Sequence, residues 1–458
     1  MSVTRHRFNT TPGARARRRG VRLLAPIALA VTLALGLTTG VRAQSLQELY
    51  EAARGYDATY LAARAQADSA QYAAAQANAL RRPSASLSAS ATRSNVDPAG
   101  GSSFNNNSSG VTLSGKQPLF NRANGATVDQ AAKQLEASRF ALETAEQDLI
   151  VRVAQAYFDV LAAQDALDTT RTAKAAISEQ LASAKRNFEV GTATITDTRE
   201  AQARFDLATA QEIAAENDLL TRRITLDQLV GRSNVAPNQL AAPVVLPPVV
   251  PAAADEWVAR ADAQHPAVRQ AQLALDVATL ETDKARAGHL PTLDAVASLS
   301  RDHSSTSTAT SAAGSTQRGS VGLQFNLPLF AGFAVQNRVK ETLALEEKSR
   351  QDLEAARRTV AQGTRQAFFG VQSGQAQVTA LEAAESSSQL ALEATQLGYR
   401  VGVRVNLDVL NAQTQLFNAR RDLAQARYNV VLGTLRLRQA AGQLSPADVA
   451  DVNRLLVK

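Results

Sequence analysis

The chain has 458 residues, no cysteine and a formal net charge of +7. Residues 1–43 contain eight arginines and no acidic residue, so the remaining chain has a net charge of −1, which does not favour binding to nucleic acid. The absence of cysteine excludes disulfides and thiolate metal sites, and the four histidines lack metal-ligand spacing, so we expect no cofactor, no metal site and no enzymatic activity.

Residues 1–43 have the pattern of a secretory signal peptide. An arginine-rich start is followed by the apolar run LLAPIALAVTLALGLTTG and by small residues at Val41 and Ala43, which are typical of a cleavage site. A membrane anchor is the alternative interpretation. The apolar run is short for an anchor, contains glycine and proline, and leads into polar sequence, so we favour the signal peptide.

The patterns of residues 44–230 predict a helix, two strands, a long helix and a further helix, in that order. Sequence rich in Ala and Gln predicts the first helix over 45–80. Small apolar residues that alternate with Ser and Thr then predict strands over 83–94 and 110–120. The Gly-, Ser- and Asn-rich residues between them predict a surface loop.

A very long helix is expected next, over 124–188. Leu135, Leu142 and Leu149 recur at a spacing of seven residues, and no proline interrupts the segment. At 1.5 Å per residue such a helix would be about 100 Å long. It ends at Gly191, after which a further helix is expected.

The same order of elements recurs in residues 256–441, after a proline-rich linker over 231–255 and before a tail over 442–458. The expected elements are a helix over 256–288, strands over 291–300 and 320–330, a long helix over 336–397 and a last helix to Ala441. QPLF at 117 matches LPLF at 327, and Val190-Gly191 matches Val401-Gly402. The separations of 210 and 211 residues are nearly constant and indicate two structural repeats.

The four expected strands have about ten residues each, which is the length that a tilted strand needs to cross a bilayer. Four strands cannot close a membrane barrel, and open sheet edges are not tolerated in lipid, so we expect the strands to be shared between chains. Phe120 and Phe330 follow matched Pro-Leu pairs and are candidates for an aromatic belt at the membrane interface. Packing at a strand–helix junction is an equally open interpretation for each ring.

Sevenfold spacing also marks the last helix, at Leu416, Leu423, Val430 and Leu437, and predicts helices packed side by side along their length. The expected fold class is therefore an α+β membrane protein with a long antiparallel α-helical coiled-coil barrel and a transmembrane β-barrel shared between protomers. A periplasmic coiled-coil adaptor or structural protein without a membrane barrel is the alternative. The paired strands favour the first interpretation.

The segment Val401–Leu444 resembles the best-preserved part of the TolC-like outer-membrane efflux family, through Val-Gly, Asp-Val-Leu, Leu-Phe-Asn-Ala and Ala-Arg-Tyr-Asn. The resemblance implies a homotrimer in the lipid of the outer membrane, with a twelve-stranded barrel and a helical tunnel through the periplasm. The trimer would be the exit duct of a tripartite efflux or type I secretion complex. Its implied partners are a periplasmic adaptor (membrane fusion) protein and an inner-membrane transporter.

The resemblance also implies roles for residues at the two helix breaks. The channel gate would be formed by Tyr399, Arg404, Thr196 and Asp197. Asp408 would line the periplasmic aperture, where Asn411 occupies the position of the family's second aspartate, so each chain would provide one carboxylate for cations there rather than two.

Helix capping is the alternative role for both aspartates, because Asp197 lies three residues after Thr194 and acidic residues favour helix N-termini. Both repeats contain the aspartate, but Arg404 has Ala193 as its counterpart. This asymmetry favours a lock between unlike helices.

Overall fold

The structure is a computed structural model in which residues 44–97, 103–241, 243–244, 246–306 and 313–457 are described. The expected signal peptide lies outside these residues. In the described part of the chain, no helix is both long enough and apolar enough to cross a membrane.

The first repeat contains a helical hairpin of unusual length and a strand hairpin. Its elements are α1 (Leu46–Tyr56), α2 (Ala58–Asn78), β1 (Ser84–Val96), β2 (Phe104–Phe120), α3 (Arg122–Glu189) and α4 (Ile195–Val230). Helix α3 has 68 residues, which corresponds to about 100 Å. Asn121 caps it, since its side-chain oxygen accepts from the backbone N–H of Asn124 at 3.0 Å.

The second repeat has the same order of elements. They are α5 (Ala254–Gln264), α6 (Pro266–Arg286), β3 (Thr292–Ser304), β4 (Gly314–Asn326), α7 (Ala334–Arg400) and α8 (Asn406–Ala440), followed in the tail by α9 (Pro446–Asn453). The two long helices are confirmed, and α7 with 67 residues is nearly as long as α3. The domain limits assigned from the sequence stay a prediction.

The first helix of each repeat was expected to be continuous, and this prediction is wrong. Asp57 separates α1 from α2, and His265 separates α5 from α6. The carboxylate of Asp57 accepts from the N–H of Tyr60 at 2.8 Å, and Nδ1 of His265 accepts from the N–H of Ala267 at 3.1 Å. Each side chain thus caps a new helix, because it satisfies an N–H that has no partner within the helix.

The strands form one antiparallel sheet in the order β1-β2-β3-β4. Leu87, Leu113, Leu299 and Gly319 lie opposite one another across its four strands. The strands have 13, 17, 13 and 13 residues, rather than about ten. They are longer because their polar outer ends also pair through backbone hydrogen bonds, which require no apolar pattern.

The two faces of the sheet differ in chemistry. The polar face contains a row of serines, in which the Oγ atoms of Ser86 and Ser114 lie 2.8 Å apart, as do those of Ser298 and Ser320. The opposite, apolar face exposes large side chains at Leu87, Val111, Leu113, Leu299, Val321, Leu323 and Phe325. Alternate residues of a strand point to opposite faces, so the period-2 pattern of the sequence becomes this division.

The helices pack along their length around several apolar clusters. The heptad leucines and valine of α8 are all buried, which confirms the predicted side-by-side packing. A large cluster joins α1, α3, α4 and α8, and it includes Tyr157 and Phe158. Val449 and Val452 of α9 belong to the same cluster, so the tail is anchored in the core. Each fully buried side chain of this size contributes about 1.5–3 kcal/mol.

Candidate functional site at the two helix breaks

The helix breaks after α3 and after α7 have the same backbone conformation. Gly191 and Gly402 adopt left-handed φ angles of +79° and +82°. The N–H of Thr192 donates to the carbonyl of Asn187 at 2.8 Å, and the N–H of Val403 donates to that of Gly398 at 2.9 Å. Both helices therefore end in a Schellman-type turn, for which glycine has the least steric cost.

At the first break, the side chains satisfy one another locally. Thr194 Oγ1 accepts from the N–H of Asp197 at 3.2 Å, and the Asp197 carboxylate accepts from the N–H and the hydroxyl of Thr194 at 2.9 and 2.7 Å. This reciprocal arrangement is a capping box. The capping role considered for Asp197 is thus observed in the structure.

At the second break, the corresponding cap residue is Val405, which has no side-chain acceptor. The Asp408 carboxylate accepts from the Val405 N–H at a long 3.5 Å and lies 3.6 Å from Nη1 of Arg404. The side chains of Arg404 and Asp408 are 61% and 37% exposed, so this ion pair contributes little to stability. Both charged groups remain available for other contacts.

Tyr399 connects the ends of the two long helices. Its hydroxyl accepts from Nδ2 of Asn187 at 3.1 Å, and its ring packs beside Leu392 and Val409. Asn187 was not among the residues predicted from the sequence, although it lies in the last turn before the first break. The structure therefore brings the end of α3 to the end of α7 through one polar contact.

The aperture residue Asn411 has a partner in the first repeat. Its side-chain oxygen accepts from Nη2 of Arg204 at 3.0 Å. Arg204 lies seven residues after Asp197 and therefore on the same side of α4. Its position beside the other candidate residues could have been predicted from this spacing. Gln180 of α3 donates similarly to Asn406 at the start of α8. Polar contacts thus join the two repeats near both breaks.

The candidate gate residues lie close to these two breaks, but they do not form one cluster within the chain. In the described residues Arg404 pairs with Asp408, Asp197 is engaged by Thr194, and Thr196 is exposed without a side-chain hydrogen bond. Asp197 and Arg404, the opposite charges among the expected gate residues, do not bond to each other within the protomer. The gate and aperture roles stay predictions.

The candidate belt residues occupy different positions at their strand ends. Phe120 is the last residue of β2, whereas β4 ends at Asn326, so the prediction of a strand up to Phe330 is wrong. Pro328, which has no N–H to donate, lies just beyond the end of β4, whereas the matching Pro118 lies within β2 at a register shift. The ring of Phe330 is 75% exposed and lies edge-to-face against Phe333, with 5.5 Å between centroids.

Comparisons with known proteins identify relatives over most of the chain. The family profile described as outer membrane efflux protein matches residues 49–232 and 257–443. The outer membrane protein TolC of Vibrio cholerae is 34% identical over 427 residues, which cover 93% of this chain and 97% of the relative. The alkaline protease secretion protein AprF of Pseudomonas aeruginosa is 35% identical over 344 residues, which cover 74% and 70%.

Two solved structures share the fold. The outer membrane protein VceC of Vibrio cholerae matches with a TM-score of 0.74 at 20% identity, and the alignment covers 87% of this chain and 96% of VceC. The CmeC outer membrane channel of Campylobacter jejuni matches with a TM-score of 0.74 at 17% identity, with 90% of each chain covered. The expected combination of long helices with a four-stranded sheet in two repeats is confirmed.

Proposed function

We propose that this chain, which belongs to the outer membrane efflux protein family, assembles as a homotrimer whose subunits share one barrel and one periplasmic tunnel. As a family member it is an outer membrane exit channel for efflux and type I secretion that extends into the periplasm. Beyond this function, we propose a trimeric assembly, its contact with lipid, a gate and two partner proteins.

The main support for a barrel shared between chains is the four-stranded sheet, which has two open edges. In the described chain β1 pairs with β2 and β4 with β3, so the outer edges of β1 and β4 have no strand beside them. The apolar face is exposed over the middle of the strands, with Val321 at 90% and Leu87 at 71%. A sheet in lipid must satisfy its edge N–H and C=O groups by closure. Closure therefore requires further copies of the chain, and the resemblance to the TolC-like family implies three copies with twelve strands in all.

The alternative, a periplasmic coiled-coil adaptor, would place this apolar face in water. Large contiguous apolar surfaces are rare on soluble monomers because their hydration is unfavourable. Family membership also does not favour the alternative. We therefore retain the membrane duct as the function.

The gate is proposed to close at the second helix break. Arg404 and Asp408 are weakly engaged in their own chain, so an Arg404 guanidinium can reach an acceptor such as Asp197 on a neighbouring chain. A gate bond must break during transport, and partly exposed charge pairs have a suitably small free energy. In a trimer Asp408 would provide one carboxylate per chain at the aperture, while Asn411 remains neutral.

The proposed partners are a periplasmic adaptor protein and an inner-membrane transporter, and the proposed cargo comprises small molecules and secreted polypeptides. A relative described as a protease secretion protein supports polypeptide export. Crosslinking in cells followed by co-purification should recover both partners with the full-length chain. Recovery of the chain without a transporter would contradict this part of the proposal.

The trimer and its membrane insertion can be tested by a matched pair of substitutions. Val321→Asp places a carboxylate on the apolar face, and Ser320→Asp places the same group on the polar face one residue away. An Arg or Lys on the lipid side of a barrel costs about 2–4 kcal/mol at the bilayer midplane and an Asp costs less, whereas lumen positions tolerate a charge. We expect V321D to reduce the crosslinked trimer in outer-membrane fractions several-fold and S320D to leave it unchanged. Equal behaviour of the two variants, or a soluble periplasmic wild type, would contradict the proposal.

The gate can be tested by single-channel conductance in planar bilayers. Tyr399→Phe combined with Arg404→Ser removes the hydroxyl that binds Asn187 and the guanidinium beside Asp408. We expect the double variant to conduct several-fold more current than wild type. Arg400→Ser is the control, because it removes a neighbouring exposed charge from the end of α7. An unchanged conductance in the double variant would refute the assigned lock.

A further inference from the structure

The charged residues of the sheet are divided unequally between its faces. The apolar face contains Leu87, Leu113, Leu299 and Gly319, and on each strand every second residue counted from these lies on the same face. By this criterion, the described acidic residues of the four strands, Asp294 and Asp302, both lie on the polar face. That face also contains Lys116 and Arg318, so its positive and negative charges balance.

The apolar face, by contrast, contains basic residues but none of the acidic residues of the described strands. Arg301 lies opposite Val111 and Gln317, and His303 lies opposite Ser109 and Ser315. Arg93 lies further along the same face, opposite Asn107. The ion pair found among the described strand residues joins Lys116 to Asp294 at 2.9 Å on the other face. Arg93 and Arg301 are therefore exposed cations on a face that should contact lipid.

These cations form the outer border of the apolar band. Arg301 follows Leu299 by two residues, which places it about 7 Å further along the strand on the same face. The border lies toward the β1–β2 and β3–β4 connections, at the end of the sheet opposite to the helices. A shallow groove there is lined by the apolar residues Ala89, Ala91 and Val111, by Arg301 and His303, and by Ser90, Ser109, Gly110 and Ser315.

We propose that Arg301 and His303 form a binding site for the phosphate headgroup of an outer-leaflet lipid, and that Arg93, further along the same face, adds a second cation. This inference rests on the proposed function, because it requires the apolar face to lie in the membrane with the helices on the periplasmic side. A guanidinium binds phosphate through two parallel N–H···O bonds, and the imidazole adds a donor. The apolar residues of the groove contact the acyl chains of the same lipid.

A lipid phosphate fits the site better than a free anion does. Arg301 is next to the apolar band, so a ligand there gains contact with both a cation and a hydrocarbon surface. Free phosphate would gain the first contact alone. Binding should therefore require acyl chains and a phosphate headgroup of net negative charge in one molecule, a combination that zwitterionic phosphatidylcholine lacks.

The test uses the full-length chain, purified in detergent and measured by native mass spectrometry. The added lipids are a diphosphorylated acylated glucosamine disaccharide, the same lipid without phosphates, and phosphatidylcholine. We expect the trimer to retain the phosphorylated lipid at least five-fold more than either of the others. Inorganic phosphate at the same concentration should not compete. Equal retention of the dephosphorylated lipid, or competition by inorganic phosphate, would overturn the proposal.

The matched variants are Arg301→Ala on the apolar face and Arg318→Ala on the polar face. The residues lie on adjacent strands, with Arg318 opposite Ser300. An arginine near an anionic lipid contributes about a five-fold factor in binding, so R301A should lose that factor and R93A/R301A about its square. R318A should bind as wild type does. Equal effects of R301A and R318A would contradict the assignment.

The same preparation separates this inference from the proposed function. Trimer mass and bilayer conductance are recorded for each variant. A conducting trimer that has no preference for the phosphorylated lipid refutes the lipid site alone. A wild-type chain that forms no trimer refutes the proposed function and, with it, the site.

Discussion

The two helix breaks share a backbone but differ in how their side chains are used. Gly191 and Gly402 have φ angles that differ by a few degrees, +79° and +82°, and the turns around them have matching hydrogen bonds. At the first break Thr194 and Asp197 satisfy each other. At the second, Val405 cannot cap, and Asp408 faces Arg404 in an exposed, weak contact. Both repeats therefore have the same bend, but the charged side chains of the second copy, Arg404 and Asp408, are held less strongly than Asp197 in the first.

A second pair of breaks shows the same behaviour. Asp57 and His265 both end one helix and cap the next. Asp57 also accepts from both Nη atoms of Arg152 at 2.9 Å, whereas His265 has no ion pair among the described residues. Equivalent positions thus preserve the conformation, while the chemistry that stabilises it differs. The difference shows that a duplicated backbone does not require duplicated contacts.

The largest effect is expected at the helix caps Asp57 and His265. Asp57→Ala removes a cap and two bonds from Arg152, and we expect a loss of about 2 kcal/mol in the free energy of unfolding. His265→Ala removes a cap alone and should cost about 1 kcal/mol. Thermal unfolding of the detergent-solubilised chain would measure both. Equal losses would contradict the assigned role of Arg152.

The same two caps should respond to acid in different pH ranges. Hydrogen bonds from Arg152 lower the pKa of Asp57 below its usual 3.8, so its contribution is present above that pH and lost as the pH falls through the folded-state pKa. Burial lowers the pKa of His265 below 6.5, so the neutral cap stabilises above pH 6.5 and is lost on further acidification. As the pH falls below 6.5, amide exchange corrected for intrinsic rates should therefore increase at the start of α6 before it increases at the start of α2. His265→Asn, a cap that does not titrate, should abolish the change.

The glycines provide the next test, in which the two breaks should behave alike. A Cβ at Gly191 or Gly402 meets no atom within 4 Å, so alanine costs backbone strain without a clash. We expect G191A and G402A each to destabilise the local turn by about 1–2 kcal/mol. Asparagine, which tolerates the left-handed conformation better, should cost less at both positions. Amide exchange in the flanking turns is the measurement, and a large difference between the two alanine variants would contradict the shared conformation.

The smallest effects are expected at the cap residues of the two breaks. Thr194→Ala should cost about 1 kcal/mol, because it removes the acceptor for the Asp197 N–H. Val405→Thr should stabilise the start of α8 by about 0.5–1 kcal/mol, because it supplies the missing acceptor. In the proposed gate, V405T should also hold Asp408 in a capping box and reduce its contact with Arg404. A V405T variant without added protection at the start of α8 would show that the second break cannot adopt the first one's arrangement.

Local sequence features predicted most of the elements because their causes are local. Period-2 and sevenfold patterns identified the strands and the two long helices, and Val-Gly pairs identified the breaks, since these patterns act through neighbouring residues along the chain. The capping box at Thr194 was also visible in the sequence as Thr and Asp three residues apart.

Other features were decided by residues far apart in sequence. Asp57 interrupts a sequence that favours helix because Arg152 of α3 is positioned to bind it. The polar ends of β2 and β3 pair because the two repeats come together, so that Ser108 lies opposite Ser304. Asn187 meets Tyr399, and Arg204 meets Asn411, only when the two repeats pack together.

The sequence by itself therefore determined that the chain bends twice in the same way, because glycine, proline and periodicity act on the local backbone. The tertiary structure alone decided which side chains those bends leave free. A carboxylate such as Asp197 or Asp408 binds the nearest good donor, and the nearest donor depends on the cap residue and on the packing of helices that are about 200 residues apart in the chain.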